Sequence, residues 1–305
     1  MTEQAPLTEQ APPSEQTPLS ERADLVRALG ALCEPPDPRH GRIAAALGLP
    51  DGPADGDYAE LFLFGAYPYA SVYLGAEGML GGEARDRVAG FWRALGLTPP
   101  AEPDHLAALL GLYAALADAE EAAPDPARRA LCRVSRKALL WEHLLSWLPP
   151  YLAKVVELAP PYYATWARLL DAVLRDEAAD LGRQPELPLQ LRAAPGLPAA
   201  DAPHAAWIEA LLSAVRTGVV LTRADLRRGA RELGLGSRVA ERAYMLRAML
   251  EQDAPATAAW LAGEARRAAT GHRAREAELG AVAGFWRERA EGAEAALATA
   301  PMAGS

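Results

Sequence analysis

The densest group of residues able to do chemistry is Glu102–Pro103–Asp104–His105–Leu106, set just before a long apolar-rich stretch. Glu102 and His105 are the types that pass protons, and Asp104 could orient the imidazole. That chemistry also needs a nucleophile or a metal within hydrogen-bond reach, and the nearby sequence supplies neither. A local reading competes with it. A carboxylate ahead of a helix accepts from the orphan amides of the first turn and complements the helix dipole, and a proline stiffens the approach. On this reading Asp104 is the N-cap of the helix that follows.

Other signatures of chemistry are missing from the sequence. His40, His143, His204 and His272 are scattered, and no HExxH or paired His–carboxylate spacing occurs. Cys33 and Cys132 belong to no CxxC or CxxH pattern, so no disulfide framework or zinc site is indicated. There is no GxxxxGK[ST], no GxGxxG after a strand and no GxSxG elbow. No metal and no cofactor is expected. The aromatic residues cluster from Tyr58 and Phe62 through Trp92 to Trp166. Such residues mostly form core, while the functional alternative is an apolar groove that accepts a peptide.

The elements that must position these residues are helices. The 305-residue chain is 50% hydrophobic, with Ala and Leu dominant and only 7% aromatic. Unbranched side chains lose little rotamer freedom in a helix, so an all-α protein is expected: a compact multi-helix bundle with a helical C-terminal extension. Leu25, Leu29 and Leu32 mark a first helix with Ser20 as its cap. A second amphipathic piece, RIAAALGL, follows the PPDP cluster. Asp57 is the expected cap of the apolar stretch after it, and Pro68 should kink or split that stretch. Val88, Phe91, Trp92 and Leu95 face inward on the next helix. Beyond it, Leu106, Leu109, Leu110, Tyr113 and Leu116 share one face of a long helix. Thr222 and Ser237 are further expected caps, with Gly234 or Gly236 as a helix stop.

Composition divides the chain. Residues 1–20 repeat TEQAPL, TEQAPP, SEQTPL, too poor in apolar groups to offset their ordering entropy, and are expected to be a disordered tail. Residues 21–182 read as the helical domain and 183–203 as a Pro/Ala-rich linker. Residues 204–275 read as the helical extension, and 276–305 as an Ala/Glu/Arg-rich tail with one more solvent-facing helix.

A net charge of −9 repels nucleic-acid phosphates. The segment 216–247 is locally basic, with a helix–turn–helix outline that offers a DNA-binding or scaffold alternative. The N-terminus has acids where a secretory signal has a basic region. No run approaches eighteen or so apolar residues. A cytoplasmic location without membrane insertion is expected.

Three motifs together carry a resemblance: YAELF at residues 58–62, EPDHL at 102–106 and WEHLLSWLPPYLAKV at 141–155. In order and approximate spacing they resemble the TorD/DmsD family of redox-enzyme maturation chaperones, over roughly residues 22–180. LTRADLRRGARELGLG is similar to an extension of longer members. The resemblance implies an all-α chaperone that is not an enzyme. Its clients would be precursors of molybdopterin-dependent oxidoreductases, bound through their twin-arginine signal peptides or as the apoenzyme and held until the molybdenum cofactor is inserted. Carried over residue by residue, it implies that Pro103, Asp104 and His105 contact the signal peptide, with Glu102 beside them, and that Tyr58, Leu61 and Phe62 form the second element. Many members have one more residue between the Pro and the Asp, so the alignment leaves the role of Glu102 open. Trp92 is expected to line or support the groove. Because the family can swap helices across its hinge, a monomer or a hinge-swapped dimer is implied.

Overall fold

The computed structural model describes residues 18–50, 52–76 and 78–299. The expected disordered tail therefore lies outside the described residues as far as residue 17, and so do residues 300–305. Leu19 and Ser20 already belong to the first helix. Among the described residues there is no β-strand, only one isolated antiparallel bridge between Tyr69 and His105. The all-α expectation holds.

The helices are α1 (Leu19–Ala31), α2 (Pro38–Ala46), α3 (Ala70–Leu74), α4 (Gly82–Ala94), α5 (Leu106–Glu121), α6 (Pro126–Ala138), α7 (Leu148–Leu158) and α8 (Pro161–Leu181). After a short turn, α9 (Leu189–Arg192), come α10 (His204–Leu212), α11 (Ala214–Thr217), α12 (Arg223–Glu232), α13 (Arg242–Gln252), α14 (Ala254–Arg273), α15 (Glu276–Leu279) and α16 (Ala281–Thr299). Two π-helical turns, Ala59–Gly65 and Leu139–Leu144, interrupt the series, each overlapping one of the motifs singled out above.

The main core lies between α1, α5, α7 and α8. Phe62, Tyr113, Trp141, Trp147, Tyr151 and Trp166 are buried there. Each of the three indoles donates to a backbone carbonyl, as buried Trp requires: Trp141 to Gly182, Trp147 to His143, and Trp166 to Leu29. A second core gathers Trp207, Ile208, Leu226, Leu246, Met249 and Leu261. Helix α16 reaches both, with Trp286 in the first and Leu297 in the second. This corrects the expectation of a solvent-facing last helix. Val282, Trp286, Ala290, Ala293 and Leu297 recur at helical spacing and are buried, and the Trp286 indole donates to the Ser146 carbonyl at 3.0 Å. Gly218 makes the close approach possible: it has φ +69°, and a Cβ there would lie 2.4 Å from the Trp286 carbonyl.

Several expected caps moved. Helix α1 starts at Leu19, so Ser20 is inside it, and Asp57 turns back to accept from the Ala54 amide. Ser237 precedes α13 by several residues and Glu241 takes the cap position there. Thr222 does cap α12, in a reciprocal box with Asp225, and Gly234 follows that helix with φ +68°. Pro68 does split its stretch, between the first π turn and α3. Within residues 183–203, α9 buries Gln190 and Leu191.

Polar groups fasten the C-terminal helices to the motif-bearing ones. Lys154, at the end of the third motif, is buried and reaches Asp225 at 3.0 Å and Glu157 at 2.7 Å. Its ammonium and the Thr222 cap hold the Asp225 carboxyl below the usual range against the opposing effect of burial.

Candidate functional site

The site is built where two distant segments cross. The Ala70 amide donates to the Asp104 carbonyl at 3.1 Å and the Leu106 amide to the Pro68 carbonyl at 2.8 Å. Asp104 itself is 1% exposed, and its carboxylate accepts from the Ser71 amide at 3.0 Å. It therefore caps the start of α3 in space and not the start of α5 in sequence. The cap of α5 is His105, whose Nδ1 accepts from the Ala107 amide at 3.2 Å. Accepting there makes the imidazole neutral, with its proton on Nε2. Burial lowers its pKa, against the charges of Glu102, Glu34 and Asp104, which raise it.

Across the bridge, the Tyr69 ring meets the His105 ring edge-on, centroids 4.8 Å apart, and the Tyr69 hydroxyl donates to Glu102 Oε2 at 2.8 Å. Burial, then this carboxylate, pushes the Tyr69 phenol well up from its usual value. Burial also raises the Tyr58 phenol, to about 12, and the charges of Glu34 and Glu102 add to that. The exposed Glu102 and the half-buried Tyr69, Tyr58 and His105 thus form one acidic, aromatic rim. Pro103 is buried beneath it.

Tyr58 leads into the first π turn. Leu61, Phe62, Leu63 and Phe64 run consecutively, and a wider turn lets them part. Leu61 and Phe62 go into the core, with Phe62 edge-on to Tyr163 and Trp166, whereas Leu63 and Phe64 are 49% and 57% exposed. Gly65 closes the turn because a Cβ would lie 2.8 Å from the Glu60 carbonyl. Next to this turn lies a groove of about 530 Å³. Asp57, Glu60, Leu61 and Phe64 form one wall, and Leu158, Arg223, Arg227, Val239 and Met245 line the rest.

The structure therefore brings together Tyr58, Glu102, Asp104 and His105, with Phe62 and Pro103 as buried support, while Leu61 lies in the core beside the neighbouring groove. It does not bring Trp92 to them. Trp92 packs on the core from α4, and among the described residues its buried Nε1 has no hydrogen-bond partner and no ring contact links it to Tyr58, Phe62 or Tyr69. The sequence reading missed Tyr69, whose partner lies thirty-three positions away, and the acids Glu34, Asp57 and Glu60. An Asp/Glu count along the first motif and the segment preceding it would have pointed to those acids.

The third motif serves as structure. Glu142 accepts from Gln184 Nε2 at 2.6 Å and from the Leu189 amide at 2.9 Å, fixing α9. His143 packs against Phe91 with ring centroids 4.8 Å apart, and burial pushes its pKa down to about 4. No cluster of three His, Cys, Asp or Glu with metal-binding geometry occurs among the described residues. In the basic 216–247 segment, Arg216, Arg228 and Arg242 are consumed internally. They bind the carbonyl of Ala76, the carboxylates of Asp225 and Glu264, and the carbonyls of Leu221 and Gly78 respectively. Arginines spent in this way are not offered to a phosphate backbone. No helix among the described residues is long and apolar enough to cross a membrane.

Residues 50–153 match the family model described as nitrate reductase delta subunit. The chaperone protein TorD of Vibrio vulnificus strain YJ016 is 32% identical over 111 residues, which are 33% of this chain and 51% of that protein. TorD of strain CMCP6 of the same organism matches with the same identity and coverage. The chain thus spans about half the length of the curated relatives it matches. The matched region holds all three motifs apart from the last residues of the third, together with both sides of the Tyr69–His105 bridge. Over this region and in its all-helical fold, the chain is similar to the TorD/DmsD family of redox-enzyme maturation chaperones.

Proposed function

We propose that this chain is a cytoplasmic chaperone that binds the twin-arginine signal peptide, or the apo form, of a molybdopterin oxidoreductase and assists its maturation before export. It acts by holding its client and turns over no substrate. The observation that carries this reading is the continuity of the acidic rim with the apolar groove through the single turn Tyr58–Gly65. Glu34, Glu102, Asp57 and Glu60 suit a basic n-region, while Leu61, Phe64, Leu158 and Met245 suit the apolar run behind it. Arg223 and Arg227 on the far wall give the groove a polarity that keeps the client's arginine pair at the acidic end.

The Glu102–His105 pair is better suited to recognition than to catalysis. The His105 Nδ1 is occupied by the α5 cap, and the Glu102 carboxylate by the Tyr69 hydroxyl. The test is co-expression with a molybdopterin oxidoreductase precursor. Co-purification of the full precursor, lost or strongly reduced when its signal peptide is deleted, supports the peptide reading. Equal recovery of both forms moves recognition to the apoenzyme body. Recovery of neither form contradicts the function.

A further inference from the structure

Helix α6 is amphipathic in sequence, but it is inserted the wrong way round for a surface helix. Its basic residues are Arg128, Arg129, Arg133, Arg136 and Lys137, and it has no acid. The guanidinium of Arg136 is fully buried, at 2.9 Å from Glu120 and 2.6 Å from Glu177. Arg133 reaches the Asp180 carbonyl at 2.8 Å, and Arg129 the Ala123 carbonyl at 3.2 Å. The charged face is thus pulled inward by carboxylates and carbonyls of α5, α8 and the turn before α6. The apolar face, Ala127, Ala130, Leu131 and Val134, is left outside, with Leu131 and Val134 each 65% exposed.

An apolar stripe at this spacing is the pattern by which one helix packs on another, and its two alanines permit close approach of the axes. Arg128 flanks the stripe with no side-chain partner among the described residues, and Lys137, whose ammonium donates to the Arg183 carbonyl at 3.0 Å and keeps its charge, stands on the opposite flank. We propose that the outward face of α6 docks an acidic amphipathic helix of a protein partner, at a surface separate from the peptide groove. Charge decides between occupants. A second copy of α6 would bring one helix that has basic residues and no acid against another and repel, and an anionic membrane would meet a chain of net charge −9 through a stripe without an aromatic anchor. A helix with Leu at the matching positions and Glu on both flanks satisfies the stripe and the rim together. This assignment does not depend on the signal-peptide reading.

The test uses the full chain and a synthetic helical peptide carrying a leucine stripe flanked by glutamates. Its counterpart has the same stripe flanked by lysines, and binding is read by fluorescence anisotropy. The acidic peptide is expected to bind at least about tenfold tighter than the basic one and to weaken as salt rises. Leu131→Ser with Val134→Ser should weaken it at least about tenfold, with circular dichroism and melting unchanged because both side chains are exposed. Equal affinity for the two peptides, or no loss in the double variant, overturns the proposal. So do three other outcomes: a dimer that the double variant dissociates, tighter binding to phosphatidylglycerol vesicles than to the acidic peptide, or an increase of about tenfold in peptide affinity on deleting residues 1–17, which would make the chain's own N-terminal segment the occupant.

Discussion

The buried carboxylate of Asp104 accepts the Ser71 amide at 3.0 Å, tying the segment after the first π turn to the start of α5. Removing it strands a buried amide, which costs about 1–3 kcal/mol. Asp104→Ala should therefore lower stability by that amount in urea unfolding. Asp104→Asn, which keeps an acceptor oxygen, should lose less than half as much.

The role of His105 is separable from that of Asp104. Its Nδ1 caps α5, and Asn is among the best N-cap residues. His105→Asn should keep wild-type stability near neutral pH, while His105→Ala should cost about 1 kcal/mol. Comparison of peptide affinity in the Asn variant then tests whether the imidazole contributes to peptide binding beyond capping.

The pH dependence follows from the buried imidazoles. The pKa values of His143, His272 and His105 are lowered by burial in the folded chain, that of His143 from 6.5 to about 4. The unfolded chain then binds more protons than the folded one between these values, so the histidines' contribution is complete above pH 6.5 and is lost as pH falls towards 4. The His143 part alone is of the order of 3 kcal/mol. His143→Phe also removes a buried Nδ1 that has no partner among the described residues. It should flatten the stability profile between pH 6.5 and 4 without lowering stability at pH 7.5, as measured by denaturant titration across that range.

Arg136 stands between Glu120 and Glu177, with Tyr113 donating to the latter. Deleting one partner of a buried ion cluster leaves uncompensated charge and costs about 3–5 kcal/mol. Arg136→Met should lose about that much in urea unfolding. Adding Glu120→Gln and Glu177→Gln should recover a substantial part, and failure of the triple variant to recover would mean that Arg136 acts through packing.

Helices with their own apolar period, such as α5 and α14, were legible because the signal is local. The Thr222 cap was legible for the same reason. The π turns were not, since an apolar run such as LFLF satisfies either a normal or a widened turn, and only tertiary packing decides which residues go inward. The orientation of α6 was hidden as well. Its period is plain in the sequence, but the inward face is chosen by Glu120 and Glu177 on other helices. At the site, YAELF and EPDHL were visible as motifs. Tyr69 and the exchange of roles between Asp104 and His105 depend on a bridge between segments far apart in sequence.

The most direct measurement is calorimetric titration of the full chain with a synthetic twin-arginine signal peptide, repeated with Glu102→Gln, with Asp57→Asn plus Glu60→Gln, and with Phe64→Ser. These side chains lie at the exposed rim or line the groove, so folding should survive each change. The account predicts binding that weakens by at least about fivefold in the acid-to-amide variants, more so at low salt, and by at least about tenfold with Phe64→Ser. Binding that none of the three variants alters, or no binding of the peptide at all, would contradict it.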